Sequence, residues 1–319
     1  MTASRGSRAL LGLAALGAFA LAGAVGCRGT EGEKREVRSA IGAASQGPEA
    51  AWEIVFEQTV DGNQDLYVVS ASGGTPRRLT RDPAVDSLPR WTPDGSAVVF
   101  SSKRTGGWQL WEAPSGGGEP RRLRANDATE YQADVSPDGK TLAFLTDIDG
   151  PERLALMDLA TGAVRDLVRH GKRTIFGNPH WSPDGTRITF SSNHHVGHQI
   201  YVVDVATGET SRVSPLTSGG CEPRWSRDGR GVVYVSRGHL RPESRLVEHD
   251  LDTGEEKPLV DWPAFNYDPV YSPDGSELAF ASNITGEFAI YRQRLSDARA
   301  WRVTFGAGEA RSPDYRPVR

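Results

Sequence analysis

Trp181-Ser-Pro-Asp-Gly185 is the stretch that decides the fold, because the chain repeats it at nearly constant intervals. Complete copies also begin at Trp91, Val135, Trp225 and Tyr271, and a degenerate copy, Tyr315-Arg-Pro317, lies near the C-terminus. Successive copies are 44 or 46 residues apart. A period of this length is typical of one four-stranded blade of a β-propeller.

Each copy predicts the same local structure. The aromatic residue closes a short inner strand A, Pro and Asp form a tight turn, and Gly accepts the left-handed conformation that ends the turn. Apolar strand B, strand C and strand D follow. We interpret these residues as structural rather than as a ring of ligands: Trp91, Asp94, Gly95, Asp138, Gly139, Trp181, Asp184, Gly185, Trp225, Asp228, Gly229, Tyr271, Asp274 and Gly275.

The two ends of the repeat region predict how the ring closes. A B-like strand, Trp52-Glu-Ile-Val-Phe56, has no A strand before it, and the A strand around Tyr315 has no B strand after it. If the C-terminal strand completes the first blade, the chain forms an all-β, six-bladed propeller over residues 51–319. Such closure leaves no long exposed sheet edge.

The repeat resembles that of TolB-like β-propellers. The resemblance rests on the P-x-W-S-P-D-G pattern, on Gln199-Ile-Tyr-Val202 in strand C and on Arg77-Arg-Leu-Thr80 in strand D. It covers nearly all of residues 51–319 and implies a periplasmic propeller that binds proteins or other envelope components. It also implies envelope protein partners, among them a peptidoglycan-associated or other outer-membrane lipoprotein.

The first fifty residues predict export and anchoring. Arg5 and Arg8 precede an apolar run that is too short to span a bilayer, and small residues lead to Cys27. This segment resembles a bacterial lipoprotein signal, which implies removal of residues 1–26, acylation of Cys27 and attachment to a membrane through lipid. By the sorting habit of such proteins, Arg28 indicates the outer membrane, with the propeller in the periplasm or at the cell surface. Residues 27–50 are predicted to be a flexible tether without helix or strand.

Charge and composition exclude a nucleic-acid partner. The net charge is −4, and without residues 1–26 the chain carries 35 basic and 41 acidic residues with no basic block. Phosphate binding needs clustered Lys and Arg. No G-x-S-x-G motif indicates a nucleophilic Ser.

Histidine placement suggests one face of the ring as a site. We place His170 in a D–A connection, His180 early in a strand A, and His194, His195, His198 and His239 in B–C loops, which all emerge on the same side. Because imidazole is a common ligand of transition metals, His180, His194 and His198 are a candidate set for a divalent metal. Acidic turns at Asp61 and Asp147 resemble calcium loops but lack the bidentate Glu.

Two functions follow as main alternatives, beside a third possibility, a structural part of a larger envelope complex. The first is a non-catalytic, envelope-anchored binding module without a cofactor, whose candidate contacts at the loop-bearing face and the channel mouth are Asn178, His180, Glu222, Arg224 and Asp268. The second is a metal-dependent lyase or hydrolase that acts on a glycan through the histidine-rich face.

Overall fold

The computed structural model describes residues 31–41, 50–195, 197–216, 219–237 and 243–318. The predicted signal peptide, Cys27 and His239 therefore lie outside the described residues. None of the helices in these ranges is long and apolar enough to cross a bilayer.

Six antiparallel sheets of four strands each form a six-bladed β-propeller, as the repeat predicted. Every blade runs from an inner strand A to an outer strand D. From A to D the strands are β24 (Glu309–Tyr315), β1 (Glu53–Val60), β2 (Asn63–Ser70) and β3 (Arg77–Arg78) in blade 1; β4 (Asp86–Trp91), β5 (Ala97–Ser102), β6 (Gln109–Pro114) and β7 (Arg121–Arg122) in blade 2; β8 (Glu130–Val135), β9 (Thr141–Thr146), β10 (Arg153–Asp158) and β11 (Val164–Arg169) in blade 3; β12 (Phe176–Trp181), β13 (Arg187–Ser192), β14 (Gln199–Asp204) and β15 (Thr210–Arg212) in blade 4; β16 (Gly220–Trp225), β17 (Gly231–Ser236), β18 (Arg245–Asp250) and β19 (Glu256–Val260) in blade 5; and β20 (Asn266–Tyr271), β21 (Glu277–Ser282), β22 (Ala289–Arg294) and β23 (Ala300–Arg302) in blade 6.

Closure of the ring follows the prediction. Strand β24 pairs antiparallel with β1, and Tyr315 lies opposite Ile54 while Asp314 lies opposite Val55. A second contact crosses the seam between blades 6 and 1. Arg292, which is buried, lies 3.0 Å from Glu277 and donates to the carbonyl of Ala71 at 2.7 Å. The first and last blades are thus joined through both backbone and side chains.

The A–B turns repeat one hydrogen-bonded arrangement in five blades. In blade 4, Ser182 Oγ donates to Asp184 Oδ1 at 2.5 Å and accepts from the backbone N–H of Arg187 at 2.9 Å, while Asp184 Oδ1 also accepts from the N–H of Thr186. The glycine of each complete turn has φ between +65° and +74°, which a Cβ would strain. The turn aspartates therefore serve backbone geometry, as predicted.

The repeated aromatic residues are buried between neighbouring blades. Trp91, Trp181, Trp225, Tyr271 and Tyr315 each belong to an apolar cluster formed with the strands of the adjoining sheets. Large aromatic side chains contribute much of the burial in such an interface.

The predicted tether requires a correction, because it contains helix α1 (Glu31–Ala40). Val37 in the helix and the buried Ile41 directly after it pack against the core cluster that blades 1, 5 and 6 share. Arg38 Nε donates to the carbonyl of Ile284 at 2.8 Å. This part of the segment docks on the B–C loop of blade 6 instead of extending freely.

Candidate binding site in the central channel

The six inner strands line the central channel, and all six carry a bulge at the same place. Strand pairing shifts register just before the last two residues of each strand A. The residue three positions before each aromatic position has positive φ, between +51° and +56°. Bulges of this kind redirect side chains. We call these six residues the bulge ring: Leu88, Gln132, Asn178, Glu222, Asp268 and Ser312.

Side chains of the bulge ring link one blade to the next. Gln132 Oε1 accepts from the N–H of Asn178 at 2.7 Å, and Glu222 Oε2 accepts from the N–H of Asp268 at 2.7 Å. Asp268 Oδ2 in turn accepts from the N–H of Ser312 at 3.1 Å. Three predicted contact residues, Asn178, Glu222 and Asp268, are therefore brought into one ring.

The carboxyl groups of this ring have unusual electrostatics. Burial raises the pKa of Glu222, Asp268 and nearby Glu57, and the mutual repulsion of Glu222 and Asp268 adds to the rise in Glu222. The guanidinium of Arg311 opposes the rise in all three. It lies 3.7 Å from the ring centroid of Phe288. The mouth of the channel therefore combines carboxyl groups, an arginine and aromatic faces.

A second set of residues lies two positions further along each inner strand, directly before the aromatic position. We call it the pre-aromatic ring: Arg90, Asp134, His180, Arg224, Val270 and Asp314. Three of its members accept from the backbone N–H of the next blade's aromatic residue. Asp134 accepts from Trp181 at 2.8 Å, His180 Nδ1 from Trp225 at 3.2 Å, and Asp314 from Trp91 at 2.8 Å.

Burial shifts the titration of these acceptors strongly. It raises the pKa of Asp134 to about 7 and that of Asp314 to about 6, while the charge of Arg90 opposes both shifts. Burial, with Arg90 and Arg227 as further causes, lowers the pKa of His180 to about 3. His180 is thus a neutral imidazole at ordinary pH, and its Nδ1 is the acceptor.

The position predicted for His180 is wrong. It occupies the fifth of six positions in β12, next to the A–B turn, and not the start of the strand. His194 and His198 lie in the B–C loop at the opposite end of the blade. The predicted metal set is therefore not brought together. Throughout the described part of the chain, no group of three or more His, Cys, Asp or Glu could hold a metal ion.

The loop histidines form a stack instead. His170 and His194 have ring centroids 4.1 Å apart and planes inclined by 15°, and His195 lies 4.2 Å from His194. Burial is the main cause that lowers the pKa of both His170 and His194, and the pKa of His194 falls to about 4. D–A and B–C connections do share one face, as predicted, but there His170 and His194 stack on one another, and the ring of His195 is tilted by 42° to that of His194.

Sequence reasoning missed several residues of the channel. Arg90, Asp134 and Asp314 occupy the positions of His180 and Arg224 in other blades, so alignment of the repeats on the aromatic residue would have found them. Arg311 lies four residues before Tyr315, so the same alignment would have placed it on the inner strand. Glu57 lies in strand B, outside that register, and no sequence signal marked it.

Relatives of known sequence cover only parts of the chain. An uncharacterized protein of Agrobacterium fabrum is 32% identical over 153 residues, which is 47% of this chain and 51% of that protein. An uncharacterized peptidase of Bacillus subtilis is 30% identical over 151 residues, or 36% of this chain and 23% of the peptidase. The chain thus matches about half the length of the first relative and about a quarter of the second.

Similar solved structures share the fold. TolB from Acinetobacter baumannii superposes with a TM-score of 0.74 at 20% identity, over 85% of this chain and 68% of that one. A putative TolB from Agrobacterium tumefaciens gives 0.67 at 18% identity, over 84% and 100%. An oligogalacturonate lyase in complex with manganese gives 0.57 at 18% identity, over 79% and 73%.

The profile of the TolB beta propeller domain matches residues 32–174, 135–261 and 168–318, which together span nearly all of the described structure. The six closed blades, the repeated turns and this match agree, and the chain belongs to the TolB beta-propeller domain family.

Proposed function

We propose that this protein is a non-catalytic binding module of the bacterial envelope, which captures a protein partner at the mouth of its central channel. The observation that carries the proposal is the group of buried carboxyls in the channel, Glu57, Glu222 and Asp268, held beside Arg311. Burying such groups costs free energy, and the neutral Gln132, which makes the same bond from one blade to the next, shows that this link does not require a carboxyl group.

Variation among equivalent positions supports the same reading. The A–B turns use the same residue types in blade after blade, whereas the bulge ring contains Leu, Gln, Asn, Glu, Asp and Ser at one backbone position. A repeated residue serves what every blade needs. Residues that differ from blade to blade give the channel mouth an asymmetric surface, which suits recognition of one partner.

The location of the module is part of the proposal. TolB proteins share this fold, and the segment that ends at Cys27 resembles a lipoprotein signal. We infer export, acylation of Cys27 and attachment to the outer membrane, so that the propeller meets envelope proteins such as a peptidoglycan-associated lipoprotein. Stable anchoring by lipid requires more than one acyl chain, which acylation of an N-terminal Cys would supply.

Capture from solubilised envelopes tests the binding function. Wild-type protein is expected to retain a specific envelope protein. The double variant Glu222→Gln with Asp268→Asn is expected to retain at least about tenfold less, which corresponds to a loss of about 1.4 kcal/mol in binding free energy. The matched control is Glu209→Gln, because Glu209 is exposed in a C–D turn on the opposite face. Equal capture by all three proteins would refute the channel mouth as the binding surface.

Anchoring is tested separately with Cys27→Ser. We expect this variant to leave the membrane fraction and to lack acyl chains by mass spectrometry, while Cys221→Ser keeps both. Cys221 is the matched control because it is buried in the propeller. A membrane-bound Cys27→Ser protein would contradict the lipid anchor.

A further inference from the structure

Arg224 is a buried cation with an unused hydrogen-bonding edge. Its side chain is 3% exposed. Nη1 donates to the carbonyl of Pro223 at 2.9 Å, and Nε has no hydrogen-bond partner. Among the described residues no carboxylate forms an ion pair with it. An arginine with free Nε–H and Nη2–H groups presents the planar pair of donors that fits a carboxylate.

Arg90 provides a matched case in the same ring. Its side chain is 5% exposed, and its Nη1 donates to the carbonyl of Pro89 at 2.6 Å, which is the arrangement of Arg224. Asp314 and Asp134 precede and follow Arg90 in the ring, and its charge opposes the rise in the pKa of both. Arg224 instead lies between His180 and Val270, which carry no negative charge. The two guanidiniums therefore differ mainly in their neighbours in the ring: Arg90 has a carboxyl group on each side, and Arg224 has none.

The neighbours of Arg224 on the side of blade 4 add donors rather than acceptors. Because Nδ1 of neutral His180 accepts from Trp225, its proton lies on Nε2, for which the described part of the chain offers no partner. The side-chain amide of Asn178, one ring higher in the same blade, likewise makes no hydrogen bond to a described residue. Glu222 of blade 5, one ring higher, accepts from the N–H of Asp268 and makes no ion pair with Arg224. Apart from that carboxyl, blades 4 and 5 line their side of the channel with a cation and two neutral donors.

We propose that the Nε and Nη2 edge of Arg224, with His180 Nε2 and Asn178 beside it, binds a carboxylate group of the captured ligand. The inference rests on the proposed binding function and adds the chemical group that enters the channel. A buried guanidinium without a counter-charge is costly, so a bound carboxylate supplies the missing compensation. Shape and charge both select a planar monoanion.

Acetate is the probe, because it needs no knowledge of the partner. We expect acetate at constant ionic strength to shift the Arg224 Nε–H resonance with a dissociation constant on the order of 10 mM. The same concentrations of chloride should leave the resonance in place. Equal shifts with chloride, or no shift with acetate, would overturn the proposal.

Substitutions distinguish binding from a structural role. Acetate that binds the folded protein should raise the melting temperature of the wild type, and Arg224→Met should remove this rise. The same variant should stabilise the ligand-free protein, because it deletes an uncompensated charge. Arg224→Lys should weaken acetate binding about tenfold or more, since lysine lacks the planar edge. Arg90→Met should destabilise the protein while its acetate affinity stays within about twofold. A destabilised Arg224→Met protein with unchanged acetate binding would contradict the inference.

The partner assay remains independent of this result. If acetate binds at Arg224 but Arg224→Met captures the envelope partner normally, the carboxylate does not belong to that partner, and the binding function stands alone. If acetate fails to bind while capture still depends on Glu222, only the carboxylate inference is lost.

Discussion

The A–B turns and the channel ends of the inner strands lie within a few residues of each other, yet they differ in kind. In the turns, a Ser or Thr hydroxyl and an Asp carboxylate make the same bonds in five blades. In the pre-aromatic ring, one backbone position holds Arg, Asp, His and Val. The first region satisfies the backbone completely, whereas the second leaves donors unpaired and carboxyls with raised pKa values. Full partnering marks residues that hold the fold, and incomplete partnering marks candidates for binding.

Substitution of Arg292 should cause the largest loss of stability. It tests whether the bonds that a buried side chain makes matter more than its recurrence in every blade. It is not part of the repeat, but it is buried, paired with Glu277 of the same blade and bonded to the carbonyl of Ala71 across the seam. Arg292→Ala should destabilise the protein by about 3–5 kcal/mol in chemical denaturation, because Glu277 is left buried and unpaired. The double variant Arg292→Leu with Glu277→Leu should recover much of this loss. If Arg292→Ala lowered the stability only slightly, full hydrogen bonding would not identify the residues that hold the fold.

Asp134 should make stability depend on pH in a defined direction. Its folded pKa of about 7 exceeds the ordinary value near 3.8, so the folded state binds the proton more tightly. The stabilisation is complete below pH 4 and is lost as the pH rises through 7. Asp134→Asn keeps an acceptor for the Trp181 N–H and should remove this loss, which is on the order of 2–4 kcal/mol between pH 4 and pH 8.

Denaturation of the wild type and Asp134→Asn across that range measures the difference. His180 has the opposite sign, because a lowered folded pKa makes its contribution grow as the pH rises from 3 to 6.5. Subtraction of the two profiles cancels His180, which is present in both proteins. Parallel profiles would show that Asp134 titrates normally.

Ser182→Ala should have a moderate effect that other blades reproduce. The substitution leaves the N–H of Arg187 without its acceptor and costs about 1–2 kcal/mol. Ser136→Ala and Ser226→Ala, at the equivalent positions of blades 3 and 5, should cost the same within about 0.5 kcal/mol, as judged by thermal denaturation. A wide spread among the three would mean that the turns are not equivalent.

Docking of helix α1 should contribute least to the stability of the protein. Val37→Asp should detach the helix and increase hydrogen exchange around Ile284, while it lowers the overall stability by less than about 1 kcal/mol. The exposed Glu33→Asp serves as control. Unchanged exchange in Val37→Asp would mean that the helix does not protect this loop.

The sequence predicted what repeats and failed where repetition stops. Regular spacing of Trp91 and its equivalents placed the turns, the blades and the closure of β24 on β1 correctly. Asn178, Glu222 and Asp268 lie at one position of the inner strand because they keep a constant distance from those aromatic residues. Their role as contacts stays a prediction. His180 lies one residue from Trp181, so that same register puts it at the end of the strand rather than at its start.

Other features escaped because loops and short polar helices carry no period. His194 and His198 were grouped with His180 by a face assignment alone, and spacing in a loop does not determine where rings point. Val37 is the one large apolar residue of helix α1, and Ile41 follows directly after the helix, which is too weak a pattern in a polar segment. Glu57 enters the channel from strand B, where no repeat position predicted it.

Site-specific photo-crosslinking in intact cells tests the central claim most directly. A photoreactive residue replaces Arg173, which is exposed in the D–A connection on the channel-mouth face, or Asp184, which is exposed in an A–B turn on the other face. The account predicts an adduct with an envelope protein from position 173 and none from position 184. An adduct from position 184 alone would contradict it.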